Sequence, residues 1–272
     1  MTAAGRDRTV HRDLCFAEIE GYRPLLLDLS VPADAPGPVP LLVWIHGGGW
    51  RFGSPRVGES WLGVADPVGA ALGCGFAVAT VQYRFSGEAR WPAQRDDVAA
   101  AVRWLRQHAA ELGVDPARIA AWGESAGGHL AAMLALTSTG TDSAVCAAVA
   151  WYPPTDLPAL QRQAHPDSVI DHDHPGSSAS RLIGAALPDA PEQAALASPL
   201  HHVSAAASPV LLMHGTRDLT IPHQQSVRLA GALKDAGAEC ELVLVEGADH
   251  CFAGADLREM VATSLRFLQR RC

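Results

Sequence analysis

Apolar and polar positions follow two spacings along this chain. Short apolar runs alternate with longer segments in which apolar residues recur every three or four positions, as Val98, Val102 and Leu105 do. The runs predict strands at residues 40–45, 76–83, 118–122, 145–151, 209–215 and 241–245, with an opening antiparallel pair at 14–19 and 24–29. The helical spacing predicts helices at residues 93–112, 128–136, 223–236 and 256–270. We therefore expect an α/β fold in which a mostly parallel sheet of roughly eight strands is flanked by helices.

One segment interrupts this alternation. Residues 153–208 separate two predicted strands by far more than the two to six residues usual for such connections. Its prolines and short apolar pieces predict short helices, so we expect a small cap, inserted after the sixth strand, that covers the reactive centre. With 272 residues, 48% of them hydrophobic, the chain can bury a large core. We expect one domain over residues 1–272, with 153–208 as its cap or lid.

The pentapeptide Gly-Glu-Ser-Ala-Gly at 123–127 is a G-x-S-x-G sequence between a predicted strand and a predicted helix. A turn of this kind, the nucleophile elbow, exposes its serine hydroxyl by holding the residue in a sparsely populated backbone conformation. Small neighbours are then required, and Gly123, Ala126 and Gly127 provide them. The pattern predicts Ser125 as a nucleophile in acyl transfer.

A serine nucleophile needs a base and an acid, which this fold presents in the chain order Ser, Asp or Glu, His. Asp218 follows the strand predicted at 209–215, and His250 follows the strand at 241–245. The carboxyl ends of parallel strands are where open α/β sheets bind ligands, so we predict Asp218 as the acid and His250 as the base. Asp249 is a rival acid, but adjacent loop residues usually point apart, which favours Asp218.

A glycine-rich loop after the strand at 40–45 predicts an oxyanion hole. The sequence His46-Gly47-Gly48-Gly49-Trp50 is of the H-G-G-G type, in which glycines let backbone amides approach a substrate oxygen. We assign Gly48 and Gly49, with the amide of Ala126, as oxyanion donors, and favour Gly47 less. His46 is expected to brace the loop.

Three further motifs extend the pattern over most of the chain: Val81–Ser86 contains a Tyr-Arg pair, Trp91–Asp97 reads W-P-A-x-x-x-D, and 125–131 reads S-A-G-G-H-L-A. With these motifs the chain resembles the α/β-hydrolase family, and within it the H-G-G-G and G-x-S-A-G esterases of the hormone-sensitive lipase-like group. It departs from that group at Gln82, where an acidic residue is usual, and in having only residues 1–45 before the oxyanion loop. Its compact form is similar to esterases of the feruloyl or acetyl-xylan type and to kynurenine formamidases. The resemblance implies a serine hydrolase and leaves the bond that is cleaved open.

The net charge of the chain argues against two classes of binding partner. A formal net charge of −8 and a pI near 5.8 argue against nucleic acid or an anionic membrane as the main partner. No run of 18 apolar residues predicts a transmembrane helix. The charged start, Met1–Arg8, is followed by no apolar stretch, so we expect no secretory signal and a cytoplasmic protein. The sequence leaves the oligomeric state open, a homodimer included.

Neither the cysteines nor the histidines form a recognisable metal motif. The six cysteines are scattered without a C-x-x-C pair, which predicts reduced thiols and no disulfide or zinc site. Residues 165–174 bring His165, His172 and His174 near three aspartates, but a solvated loop explains this pattern better than a metal centre. We predict no metal and no cofactor, with a small-molecule ester and water as reactants.

Aromatic residues in or beside the predicted active-face loops favour an apolar or aromatic ester over a charged one, and we assign Trp50, Trp151 and Phe252 as substrate contacts. The other aromatic residues of this set are Phe52, Trp61, Trp91 and Tyr152. The same triad could instead cleave a formamide or a thioester, or transfer an acyl group to a small molecule. A more distant alternative is a non-catalytic receptor for small molecules.

Overall fold

The computed structural model describes residues 8–33, 35–56 and 66–272. Within these residues eight strands form one sheet, in the order β1-β2-β4-β3-β5-β6-β7-β8. The strands are β1 (Arg8–Ala17), β2 (Leu25–Pro32), β3 (Val39–Ile45), β4 (Ala77–Val81), β5 (Val114–Glu124), β6 (Ala148–Trp151), β7 (Val210–Gly215) and β8 (Cys240–Val245). The α-helices are α1 (Pro67–Gly73), α2 (Ala93–Gln107), α3 (Ala109–Leu112), α4 (Ala126–Thr137), α5 (Leu160–Gln163), α6 (Ser178–Ile183), α7 (Pro191–Leu196), α8 (Gln224–Asp235) and α9 (Leu257–Gln269).

The pairing of the strands confirms the predicted fold class. Strands β3 to β8 pair in parallel, whereas β1 pairs antiparallel with β2, and β2 pairs antiparallel with β4. The opening antiparallel pair was therefore predicted correctly, as was the mostly parallel sheet. All parallel strands point their carboxyl ends to one edge of the sheet, and this edge gathers the loops after β3, β5, β7 and β8.

The predicted helix at 93–112 is divided in two. Helix α2 ends at Gln107, and the one-turn helix α3 ends at Leu112, followed by Gly113 in a left-handed conformation with φ of 69°. Helix α2 buries Val98, Ala101, Val102 and Leu105 on one face, as the spacing predicted. The apolar pattern did not reveal the break because α3 continues it with a buried alanine.

The core has two halves, one on each face of the sheet. Side chains alternate between the faces along β3, so Val43 packs with α2 and α4 and Trp44 packs with α1 and α9. On the second face, the rings of Trp44, Trp122 and Trp151 meet edge to face, with centroids 5.0 to 6.3 Å apart. Aromatic contacts of this kind stabilise this half of the core by roughly 0.5–1.5 kcal/mol per pair beyond the burial of their surface.

The insertion at 153–208 lies between β6 and β7 and contains the short helices α5, α6 and α7. Leu157, Leu182 and Leu187 are buried in the same apolar cluster as the sheet. Gln225 of α8 ties the start of the insertion to the main body, because its side-chain oxygen accepts hydrogen bonds from the amides of Thr155 (2.7 Å) and Asp156 (2.6 Å). The expectation that this segment acts as a cap stays a prediction.

The structure corrects the prediction of reduced thiols at two positions. Cys146, just before β6, and Cys272, after α9, form a disulfide with a Cα–Cα distance of 6.1 Å. They lie 126 residues apart, so their spacing carried no signal, and only the packing of α9 against the sheet brings them together. Cys15, Cys74 and Cys240, like Cys251, are free thiols. Among the described residues, no helix combines the length and apolarity that crossing a membrane requires.

Candidate active site

Ser125 occupies a tight turn between β5 and α4. Its backbone has φ of 51° and ψ of −117°, a conformation that costs energy for a residue with a side chain. A Cβ atom at Gly123 would overlap the backbone oxygen of Gly127, and one at Gly127 would overlap the backbone oxygen of Ile45. Glycine is therefore required at both positions, and the turn presents the Ser125 hydroxyl at the carboxyl edge of the sheet.

His250 and Asp218 converge on this serine from two other loops. His250 Nε2 lies 3.2 Å from Ser125 Oγ, and His250 Nδ1 lies 2.7 Å from Asp218 Oδ2. In the chain, His250 is 125 positions from Ser125 and 32 positions from Asp218. The parallel strands nevertheless bring the three loops to one place. The structure thus brings together the serine, base and acid predicted from the sequence, in the order hydroxyl, imidazole, carboxylate.

The carboxylate of Asp218 is held in place by more than the imidazole. Its Oδ1 accepts hydrogen bonds from the amides of Thr220 (2.8 Å) and Ile221 (2.7 Å), and its Oδ2 lies 3.3 Å from Nε2 of the buried His214. Burial alone would raise the pKa of Asp218, but hydrogen bonds with His214 and His250 hold that pKa well below its usual range. Asp218 therefore stays charged and can orient the His250 ring.

Asp249, the rival acid, has a different position. Its Oδ1 accepts hydrogen bonds from the amides of Leu219 (2.8 Å) and His250 (2.6 Å), so it joins the acid loop to the base loop. The imidazole of His250 is bonded to Asp218 instead. Asp249 is a positioning residue for the two loops. The sequence showed its adjacency to His250 but gave no sign of the bond to Leu219.

The glycine loop after β3 lies beside Ser125 and lines the same cavity. Gly48 and Gly49 have φ of 102° and 60°, and a Cβ at Gly49 would lie 2.7 Å from Ser178 Oγ. Ala126 begins α4, so its amide has no acceptor within the helix. The amide of Gly47 instead faces Glu124 Oε1 at 3.4 Å. Of the three loop glycines, Gly48 and Gly49 thus fit an oxyanion hole better than Gly47.

His46 braces the base of the glycine loop, as the sequence predicted. The His46 ring stacks on Tyr83 with centroids 4.5 Å apart, and the Tyr83 hydroxyl donates to the backbone oxygens of His46 (3.0 Å) and Gly47 (3.2 Å). Burial lowers the pKa of His46 to about 4, so this ring is neutral near pH 7. A neutral, stacked imidazole fixes the loop and carries no charge into the site.

Sequence reasoning missed a buried acid next to the nucleophile. Glu124 is 2% exposed and accepts a hydrogen bond from the Tyr152 hydroxyl at 2.9 Å, in addition to its contact with Gly47. Burial raises its pKa. The ring of Tyr152 in turn lies against the ring of His250, with centroids 4.7 Å apart. Glu124 therefore links the glycine loop to Tyr152, which packs on His250.

A cavity of about 710 Å³ opens above Ser125 and is lined on one side by the insertion, through Leu160, Ile170 and His172. Trp50 and Phe52 line it as well. This volume is within the range of small-molecule sites.

Two of the three predicted substrate contacts are corrected. Trp151 and Phe252 are 0% and 2% exposed and lie in the aromatic core on the α9 side of the sheet, outside the lining of the cavity. The indole of Trp151 donates to Ser264 Oγ at 2.9 Å and is thereby turned away from Ser125. The sequence pattern identified the loops in or beside which these residues lie, but it did not show that their side chains face the core on the α9 side of the sheet. Trp61 lies outside the described residues.

The histidines and aspartates at 165–174 do not converge on one point. Nδ1 of His165 accepts from the amide of Asp167 (3.1 Å), and Nδ1 of His174 accepts from the amide of Gly176 (2.9 Å). His172 is buried in the cavity wall. In the part of the chain that the structure describes, no three His, Cys, Asp or Glu side chains are grouped as metal ligands would be.

Solved structures of esterases are similar to this chain in fold and sequence. A solved structure described as a truncated carbohydrate esterase from gut microbiota superposes with a TM-score of 0.84 at 26% identity, covering 99% of this chain and 98% of that one. An esterase from Thermogutta terrifontis gives a TM-score of 0.71 at 30% identity over 98% of this chain and 90% of its own. That esterase has also been solved phosphoramylated by tabun.

Among curated proteins, the Mycobacterium tuberculosis esterase LipQ is 32% identical over 229 residues, which is 80% of this chain and 52% of LipQ. The chain spans about half the length of the curated relatives it matches first. The family model BD-FAE matches residues 27–233. This match extends from β2 into α8 and includes the glycine loop, the elbow and the acid loop, and the chain belongs to the BD-FAE family, with an α/β-hydrolase fold.

Proposed function

We propose that this protein is a serine hydrolase that cleaves a carboxylic ester of a small molecule. The observation that carries this proposal is the hydrogen-bonded series Ser125, His250 and Asp218 at the floor of a cavity that is also lined by Gly48 and Gly49. Relatives named as esterases support it, as does the organophosphate adduct reported for the Thermogutta esterase, since a reactive hydroxyl is needed for such an adduct.

The reaction begins when Ser125 Oγ attacks the carbonyl carbon of the ester while His250 Nε2 accepts the hydroxyl proton. The amides of Gly48, Gly49 and Ala126 donate to the oxygen that becomes negative. When the tetrahedral intermediate collapses, the bond to the leaving alcohol breaks, and His250 returns the proton to that alcohol. The product of this half is an acyl ester on Ser125.

The second half repeats these steps with water as the nucleophile. His250 accepts a proton from water as its oxygen attacks the acyl carbon, and the proton passes to Ser125 Oγ as the acid leaves. Asp218 stays ionised throughout and stabilises the imidazolium that forms twice in each cycle. Because Asp218 is fixed by two backbone amides, it presents the same tautomer of His250 to both nucleophiles.

The insertion at 153–208 has the role of a cap in this proposal, within a single domain. Leu160 and Ile170 supply apolar surface on the wall of the cavity, and Trp50 and Phe52 supply aromatic surface near the glycine loop. These residues favour an ester with an apolar or aromatic part next to the scissile bond. A formamide or a thioester uses the same triad, so each belongs in the substrate panel.

Hydrolysis of p-nitrophenyl acetate and butyrate tests the proposal. Ser125→Ala should abolish turnover, and a fluorophosphonate probe should label the wild type and leave this variant unlabelled. The matched control is Ser204→Ala, because Ser204 is exposed and lies outside the lining of the cavity. Equal rates for the wild type and Ser125→Ala would refute the assignment. An unlabelled wild type would favour the receptor alternative.

The compartment and the assembly state are separate proposals. The sequence predicts a cytoplasmic protein, yet reducing compartments disfavour disulfides such as that between Cys146 and Cys272. Peptide mapping of the protein after alkylation in intact cells distinguishes a reducing compartment from an oxidising one. In a cytoplasmic protein, both Cys146 and Cys272 should be alkylated. Analytical ultracentrifugation over a range of concentrations tests the homodimer.

A further inference from the structure

A second depression lies beside the catalytic cavity and contains an unusual concentration of positive charge. It has a volume of about 480 Å³ and lies between the end of the glycine loop, the loop at 86–90 and helix α6 of the insertion. Arg51, Arg90 and Arg181 line it, one from each of these segments. Three guanidinium groups around one hollow form a local positive centre in a chain whose net charge is −8.

None of these three arginines has an acidic partner among the described residues. Within the described residues, none of them lies within 4.0 Å of a carboxylate oxygen, although most other ion pairs of the protein involve arginine. The acidic residue of the loop at 86–90, Glu88, is already bonded to Arg23 (3.0 Å) and to the amide of Phe85 (2.7 Å). The positive charge of the depression is therefore not neutralised by these groups.

A buried hydroxyl beside the same depression also has no partner in the part of the chain that the structure describes. Ser180 is 1% exposed and lines the hollow, and its Oγ makes no hydrogen bond with any described residue. An unsatisfied buried hydroxyl costs free energy unless a ligand or water completes it. Nearby, a Cβ at Gly184 would overlap the guanidinium of Arg90, so the glycine leaves room for this arginine to lie against α6.

The depression adjoins the catalytic cavity. Arg51 lines both. Arg181 Nε donates to the backbone oxygen of Gly176 at 3.1 Å, and Gly176 itself lines the catalytic cavity. The amide of Ser86 donates to the oxygen of Trp50 at 2.7 Å, which fixes the 86–90 loop to the glycine loop. A substrate that leaves the catalytic cavity past Arg51 would therefore enter the positive depression.

We propose that this depression binds an anionic group of the substrate, a carboxylate on the part of the ester that extends away from Ser125. Guanidinium groups bind carboxylates through paired, charge-assisted hydrogen bonds. The proposal rests on the proposed esterase function and deepens it: the scissile bond lies in the cavity with apolar and aromatic walls, and the distal end of the molecule is acidic.

Paired substrates test the proposal from both sides of the ester. On the acyl side, mono-p-nitrophenyl adipate carries a distal carboxylate, and p-nitrophenyl hexanoate is its neutral match. On the alcohol side, p-acetoxybenzoate is matched by p-acetoxybenzamide. We expect the wild type to prefer the anionic member of at least one pair in kcat/KM, roughly tenfold, with a preference that weakens as salt is added.

Arg90→Gln and Arg181→Gln should each reduce that preference about threefold to tenfold, as expected for the loss of one partly exposed charge contact. Arg90→Lys should restore part of it. The control is Arg266→Gln, which removes the same charge from an exposed position on α9 outside both cavities and should leave the preference unchanged. Calorimetric binding of p-acetoxybenzoate to Ser125→Ala provides a second readout that needs no turnover.

The outcomes are separable. If neutral esters are hydrolysed in a Ser125-dependent way, neither anionic ester is preferred and inorganic phosphate does not bind, the anion site is refuted and the esterase function stands. If no ester is hydrolysed while p-acetoxybenzoate still binds and the arginine variants lose that binding, the esterase function fails and the anion site stands. If inorganic phosphate binds but the anionic esters gain nothing, the site takes a free anion and the proposed substrate class is wrong.

Discussion

Replacing Asp218 with asparagine would move the ring proton of His250 from Nδ1 to Nε2. One carboxylate oxygen of Asp218 accepts from the amides of Thr220 and Ile221, at 2.8 and 2.7 Å, and the other faces His250 Nδ1 at 2.7 Å. The two backbone amides need an acceptor, so they will hold the oxygen of the new side chain. Its NH2 group must then face His250 Nδ1 and donate to it.

That hydrogen bond moves the ring proton of His250 to Nε2, the atom 3.2 Å from Ser125 Oγ. An imidazole protonated there cannot accept the serine proton. In triads of this kind the wrong tautomer costs about 10⁴ in rate, which corresponds to roughly 5 kcal/mol of activation free energy. Because the native carboxylate has a strongly lowered pKa, we expect the loss throughout the neutral and mildly alkaline range.

The assay is kcat/KM for p-nitrophenyl butyrate together with the rate of fluorophosphonate labelling, with urea unfolding as a check that the variant is folded. Asp249→Asn is the matched control. An asparagine oxygen at 249 can still accept from the amides of Leu219 and His250, so this variant should lose less than about tenfold. The reasoning is refuted if Asp218→Asn also loses less than tenfold, or if the two variants lose equal activity.

Three further predictions concern the frame around the site. Gly123→Ala would push a Cβ into the elbow backbone, so we expect destabilisation of about 3 kcal/mol in urea unfolding and no fluorophosphonate labelling. Burial lowers the pKa of His129 to about 4, below its value in the unfolded chain. Because the unfolded chain then binds more protons, the free energy of unfolding should fall by on the order of 3 kcal/mol as the pH drops from about 6.5 towards 4. The fall should be smaller in His129→Gln. Cys272→Ser opens the disulfide with Cys146 and should cost about 2–4 kcal/mol of unfolding free energy, whereas Cys74→Ser, at an exposed free thiol, should cost almost nothing. A pH-independent stability or equal losses in the two cysteine variants would contradict these expectations.

Much of the site could be predicted from the sequence because its signals are local. The elbow needs glycines within two residues of Ser125, and a strand must end just before each reactive loop; both requirements are visible in a short window of residues. The order of Ser125, Asp218 and His250 then followed from the order of the strands. The structure places His250 within hydrogen-bonding distance of both Ser125 and Asp218.

The sequence by itself thus determined the alternation of strands and helices, the mostly parallel sheet and the loops that carry the reactive groups. Only the tertiary structure decided which face each side chain meets: it turned Trp151 into the core, paired Cys146 with Cys272 and left three arginines around one hollow. The physical reason is the distance along the chain between the residues that interact. Hydrophobic spacing reports whether a position is buried, whereas contacts between residues far apart in the chain depend on how the elements pack, which no short pattern records.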